Sequence, residues 1–352
     1  MKYNIAVDQK LPFWGLIATA DFLYTDVIND ILYQNLNLKG PTGALNGADT
    51  RPTYDRRDEI DPTYGRIILA SNTTLGHAYN VTATIRKPFE NGFQGQVSWS
   101  YGDSFKVFDG TSSQNSSQWR NRQTVNGKNA DLDVDARSDF SLGHRITSNA
   151  SYEITWNDNL KTTFGLFYEG VQGNPFSYTY REGRDLLNDD SRDNALIYVP
   201  ANQGEITLAD QSADGGLTPD QQWEALDAFI EGDDYLRSRR GQYAERNGDR
   251  GPWSHVIDFK LLQDFSLKLG NTKHTFQASL DIFNFTNLLN KDWGQRNFVP
   301  GNVGLLTTVA GGPDPVFTFD PTQFEEGVRV IDDRGLQSSR WQMQLGLRYL
   351  FN

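Results

Sequence analysis

From residue 341 to residue 351 apolar and polar side chains alternate one for one. Trp341, Met343, Leu345, Leu347, Tyr349 and Phe351 share one face, and Gln342, Gln344, Gly346 and Arg348 share the other. Successive side chains of a strand point to opposite faces, so this period of two predicts a half-buried strand. The same alternation recurs over residues 3–7, 14–24, 79–85, 93–101, 146–156, 164–168, 257–261 and 276–282. The pattern therefore predicts nine strands.

The connections alternate as well. Those near residues 11–13, 88–92, 157–159 and 270–273 are short, while residues 37–74, 105–144, 180–254 and 290–339 form long ones. Globular domains rarely carry several long structureless loops. Outer-membrane barrels pair short periplasmic turns with long extracellular loops as a rule. Two further features favour a barrel over a soluble sandwich. The polar face is rich in Gln, Asn, Ser, Thr, Asp and Lys, as a water-filled lumen requires. The apolar face carries Trp14, Phe93, Tyr101, Trp156, Tyr168, Tyr349 and Phe351 near strand ends, where interfacial aromatic girdles lie. The predicted fold is all-β: an antiparallel transmembrane β-barrel portion of about nine long strands, in the outer membrane of a Gram-negative bacterium.

Gln344, Gly346, Tyr349 and Phe351 place a polar residue, a glycine two on, and aromatics five and seven on. This spacing resembles the C-terminal signal read by the barrel-assembly machinery. A terminal strand edge can add to another sheet edge through main-chain hydrogen bonds, with alternate side chains giving specificity.

Nine strands that reverse at each connection leave the first and last running the same way. Bacterial single-chain barrels have even strand numbers. The first strand also begins almost at Met1, with no apolar leader before it. The expectation is a C-terminal part of a larger barrel spanning residues 1–352, with two unpaired edges that are aggregation-prone by themselves.

Composition narrows the chemistry. No window approaches 18 consecutive apolar residues, which excludes a transmembrane helix. There is no cysteine, so disulfides, thiolate metal sites and thiol nucleophiles are excluded. The net charge of −12 argues against a nucleic-acid partner. His77, His144, His255 and His274 have no partner at metal or triad spacing, and no phosphate loop or nucleophile elbow occurs. The chain is therefore expected not to be an enzyme. Asp185, Asn188, Asp190 and Asp193 are oxygen donors at short spacing, a candidate calcium site, although the run lacks the central glycine and final glutamate of an EF-hand. Residues 181–255 are read as a long extracellular loop with a short helix near 218–231. There, Thr218 and Gln221 form a capping box, Pro219 suits the first turn, and Trp223, Leu226, Phe229 and Ile230 make an apolar stripe.

Several segments are recognisable together. They are Leu11-Pro12-Phe13-Trp14-Gly15-Leu16, Asp139-Phe140, His144-Arg145-Ile146, Ser151-Tyr152 and Phe167-Tyr168-Glu169-Gly170. Further along come Asn194-Ala195-Leu196-Ile197-Tyr198-Val199-Pro200, Arg240-Gly241, Asp281-Ile282-Phe283-Asn284, Asn287-Leu288-Leu289-Asn290, Trp293-Gly294 and Ser338-Ser339-Arg340-Trp341-Gln342. The set resembles the C-terminal barrel of Oar-like TonB-dependent receptors of the Bacteroidetes type. The resemblance implies a 22-stranded barrel, an internal plug, a TonB-contacting segment and often a carboxypeptidase-regulatory-like β-domain, all but the last nine strands lying upstream. It also implies transport of an unknown large ligand, inward or outward, with lipid, the assembly machinery and TonB as partners. A soluble all-β binding or carbohydrate-active protein and a passive barrel adhesin are the alternatives. A sandwich would bury both faces of many strands.

Overall fold

The computed structural model describes residues 1–55, 59–181, 185–190, 194–332 and 339–351. Nine long strands form one sheet in chain order, every neighbouring pair antiparallel. They are β1 (Lys2–Lys10), β2 (Ile17–Asp26), β3 (His77–Glu90), β4 (Phe93–Lys106) and β5 (Gly143–Asn157). After them come β6 (Leu160–Val171), β7 (Ser254–Leu269), β8 (Thr272–Phe283) and β9 (Gln342–Phe351). All nine predicted strands are present. Among the described residues β1 pairs only with β2 and β9 only with β8, so both outer edges are bare.

The short turns all lie at one end of the sheet. Between β3 and β4 the chain reverses on Asn91 and Gly92, at φ +52° and +82°. Two positive φ values match the right-handed twist of the flanking strands, which is why Asn-Gly suits this hairpin. A side chain at 92 would also place its Cβ 2.5 Å from the Glu153 carbonyl oxygen. Trp14, expected within a strand, instead sits in the turn before β2 at φ +51°, with its ring stacked on Phe93 at 5.8 Å. The alternation continues through it because the turn keeps the indole on the apolar side.

Register brings the apolar positions into rows. Phe164 faces Leu261, Leu261 faces Leu280, and Leu280 faces Leu345. Among the described residues no second layer covers this face: Ile5 is 74%, Leu345 77% and Leu347 91% exposed. A water-soluble sandwich could not leave such a face bare. The opposite face carries cross-strand polar pairs. Asn4 donates to Asp21 at 2.9 Å, Lys260 to Asp281 at 2.7 Å and Gln277 to Asp264 at 2.8 Å, and Thr84 bonds Ser98 at 2.8 Å.

The closely packed core lies elsewhere, in the connections of residues 27–76, 107–142, 172–253 and 284–341. Leu45 and Tyr54 of the first pack with Phe176, Tyr178, Leu226 and Ile230 of the third and with Val299, Leu305 and Phe319 of the fourth. Trp119 and Phe108 of the second pack with Tyr33 of the first. Strand Pro175–Arg181 pairs in parallel with Asn302–Ala310, joining the third connection to the fourth. The long connections are thus one folded cap and not independent loops. Its longest helix is Pro219–Gly232, with the Thr218–Gln221 capping box formed and Leu226 and Ile230 buried.

The bare apolar face generates a test. Leu345→Arg places a charge midway between the aromatic ends of β9 and should cost about 2–4 kcal/mol in lipid. Gln277→Lys, which meets Asp264 on the polar face, should stay within about 0.5 kcal/mol of wild type. Urea unfolding of the full-length protein in lipid vesicles measures both.

Candidate functional site

Buried cations hold the cap, and Arg51 reaches several of its segments. Arg51 is 2% exposed, ion-paired to Asp49 at 2.7 Å, and lies over the rings of Tyr180 (5.3 Å) and Tyr243 (4.9 Å). Its Nη1 donates to the Leu196 carbonyl at 2.6 Å. Burial alone would lower the guanidinium pKa, but Tyr180, Asp49 and Tyr243 outweigh it and the net direction is upward. One side chain from the first connection thereby ties three segments of the third.

Two of the clefts in the cap are lined by amide or guanidinium groups. The larger, about 900 Å³, lies where the second, third and fourth connections meet. Its wall includes a chain of amides. Gln123 Nε2 donates to Asn302 Oδ1 at 2.6 Å, Asn302 Nδ2 to Asn194 Oδ1 at 3.2 Å, and Asn194 Nδ2 to the Arg120 carbonyl at 2.9 Å. Arg181 and Arg329 also line it, beside Phe324. Gly304 is required here, since a Cβ would stand 2.8 Å from the Cβ of Arg181. The second cleft, about 520 Å³, is lined by Arg122, Arg137 and Arg246 with Phe105, Val134 and Leu196. These cations act largely as staples. Arg246 donates to the carbonyls of Val107 (2.6 Å) and Lys106 (2.7 Å), and Arg122 to those of Asp131 (2.5 Å) and Lys128 (3.0 Å). Burial, aided by nearby Arg246, pushes Arg122 down to about 10. The larger cleft, with Arg181 and Arg329 beside its amides, is the one suited to holding a polar ligand by amide and guanidinium donors.

The chain matches the model of a known family, the outer membrane beta barrel domain, over residues 1–319. It belongs to that family. No curated protein and no solved structure matches it. The protein is therefore a barrel of the outer membrane of a Gram-negative bacterium, its apolar face in contact with lipid and its polar face turned inward. Long loops are extracellular in such barrels and short turns periplasmic, so the cap lies outside.

Aromatic side chains then mark both interfaces of this barrel. At the periplasmic end Tyr349 packs on Phe276 (4.9 Å) and Phe351 (5.9 Å), and its hydroxyl lies 2.5 Å from His274 Nδ1. Tyr349 and Phe351 share the lipid face, while Gln344 and Gly346 fall on the other, opposite Asp281 and Ser279. At the extracellular end His77 stacks on Phe105 at 4.6 Å, and His144 and His255 also take up ring contacts.

The acidic run is divided by the fold. Asp190 pairs with Arg66, whereas the Asn188 side-chain amide donates to the Tyr54 carbonyl at 2.9 Å. Asp185 turns inward: Oδ1 accepts from the Asn188 backbone at 2.9 Å, and Oδ2 is buried without a hydrogen-bond partner. Its acidic neighbour is Asp189, fully buried and accepting from the Lys128 backbone at 2.8 Å. Asp193 lies outside the described residues. Among the described residues no three acidic or histidine groups cluster to hold a metal. Arg51 and the amide chain were missed by sequence reading, because partners up to 179 residues apart leave no local spacing.

Burial, and then the charge of Asp189, push Asp185 up to about 7. A carboxyl raised on folding favours the folded cap only while protonated. That contribution is complete below the ordinary value of about 4 and is lost as pH rises through about 7. Cap stability, read by protease resistance, should fall across this window in wild type. Asp185→Asn should reduce the slope and raise resistance at pH 8. A residual slope is expected from Asp249, which burial and Asp233 push up to about 6.

Proposed function

We propose that this chain forms the last part of the barrel of a TonB-dependent receptor, Oar-like in type, that moves a large ligand across the outer membrane. The observation that carries the reading is the cap. Four connections fold into a single body with its own core, and its larger cleft is walled by three of them. A fixed, pre-formed cleft over a polar barrel interior suits capture before passage, because little ordering entropy is left to be lost on binding. The bare edges of β1 and β9 support a larger wall, since further strands between them would satisfy both. In this reading the plug and the TonB-contacting segment precede the chain, and the energy of transport comes through them. The chain itself catalyses no reaction.

The full-length gene product decides between a plugged receptor and a passive barrel. The reading expects no solute flux in liposome-swelling assays and binding of the periplasmic domain of TonB. Steady passive flux with no TonB binding contradicts it.

The end of β9 is proposed as the address read by the barrel-assembly machinery, with Gln344, Gly346, Tyr349 and Phe351 as its elements. The double variant Y349D/F351D puts charge near the interface, where it costs only about 0–1 kcal/mol per residue. Barrel already folded should survive this. The amount reaching the outer membrane should nevertheless fall several-fold, measured by heat-modifiable protein in membrane fractions. Wild-type amounts would remove the assembly role.

A further inference from the structure

Trp253 lies between two imidazoles. It stacks on His144 with ring centroids 6.3 Å apart and planes 18° apart, and on His255 at 5.8 Å and 5°. The stack continues outward to Trp99 on one side, 5.8 Å from His144, and to Tyr168 on the other, 6.1 Å from His255. Four rings from β4, β5, β6 and β7, with Trp253 immediately before β7 between them, thus form one continuous ladder.

The ladder stands on the lipid face at the extracellular end. His144 is opposite Tyr101 and alternates with Ile146, and His255 is opposite Gly170 and alternates with Ile257. From His255 the apolar positions of β7, interrupted only by Gln263, run through Phe265 and Leu267 to Leu269, fourteen residues on. That span is about 46 Å along the strand and about 35 Å along the membrane normal at a tilt of ~40°, about 10 Å more than the hydrocarbon band, so the two ends of the row reach into the interfaces. The ladder is therefore level with the headgroups of the outer leaflet.

An aromatic girdle needs no imidazoles, yet this one has two. The Trp99 indole N–H donates to His144 Nδ1 at 3.2 Å. An indole nitrogen can only donate, so Nδ1 accepts and the neutral ring carries its proton on Nε2. His255 Nδ1 is bonded to the Tyr168 hydroxyl at 2.9 Å, a bond that either partner can donate. Gly170 permits this bond, because a Cβ there would stand 2.4 Å from the Tyr168 hydroxyl oxygen. The charged groups at this corner are committed to one another: Arg137 pairs with Asp103 at 3.1 Å, and Arg250 lies 3.6 Å from the same carboxylate.

We propose that the His144–Trp253–His255 stack binds the phosphate group of an outer-leaflet lipid, the Nε2–H of His144 donating to one of its oxygens and the indole, backed by His255, packing against the sugar or acyl shoulder beneath. The occupant follows from placement, since the face is covered by lipid and phosphate is the acceptor found at that height. The inference rests on the membrane placement and not on the transport reading.

The test uses the full-length protein in detergent and two probes, lipid A and its dephosphorylated form, with retention read by native mass spectrometry. Lipid A should be held about tenfold more tightly, the worth of one hydrogen bond to a charged group. The variant His144→Phe/His255→Phe keeps the stack and removes the donor, and should bind both probes alike. His274→Phe, at the periplasmic end, should leave the preference unchanged. Equal retention of the two probes by wild type overturns the proposal, and so does an undiminished preference in the double variant. If that variant fails to fold, the wild-type comparison alone decides.

Discussion

In lipid no water is present to satisfy backbone N–H and C=O groups, so every strand in the hydrocarbon region must find its partners sideways. That constraint shapes the rest of this molecule. It forces nine long strands into continuous antiparallel pairing from β1 to β9. It also fixes what the side chains can do, because a paired strand offers one face to lipid and one to the interior. Apolar residues are therefore spent on the outside, where Leu345 and Leu347 are left uncovered. The sheet encloses no hydrophobic core of the kind a soluble domain uses. Its polar face is held by cross-strand pairs such as Lys260 with Asp281.

Tertiary packing is displaced to the cap. There the strands are short and their partners distant: Pro175–Arg181 meets Asn302–Ala310, and Arg51 reaches Leu196, Tyr180 and Tyr243. The cap buries polar as well as apolar groups; Arg51 and Arg246 find partners there, whereas Asp185 Oδ2 and Thr308 Oγ1 have none among the described residues. Ser177 and Thr179 are as buried as the Tyr178 between them, because strand Pro175–Arg181 is covered on both faces. Such a body holds its clefts in shape before any ligand arrives, which is what the receptor reading requires of it.

The barrel wall was legible in the sequence because its signal is local. Alternation in 341–351 or 146–156 needs no knowledge of distant residues, and neither does the Thr218–Gln221 capping box. Trp14 misled only because a turn can continue a period of two by chance of geometry. The cap was illegible for the opposite reason. Phe176, Tyr178 and Tyr180 do alternate, but the last expected strand before them ends at Tyr168 and residues 180–254 were read as one long loop, and the burial of both faces depends on contacts with the other connections. The acidic run shows the same limit: spacing could not reveal that Arg66 would take Asp190 or that Asp189 would be the neighbour of Asp185.

The central claim is that one face of this sheet meets lipid and the other does not. The chain has no cysteine, so single cysteines can be introduced one at a time from 342 to 349 in the full-length protein. Each is labelled with a fluorophore and exposed to vesicles containing doxyl-quencher lipids. The account predicts strong quenching at 343, 345, 347 and 349 and weak quenching at 342, 344, 346 and 348. Quenching without a period of two, or with the opposite phase, would contradict it.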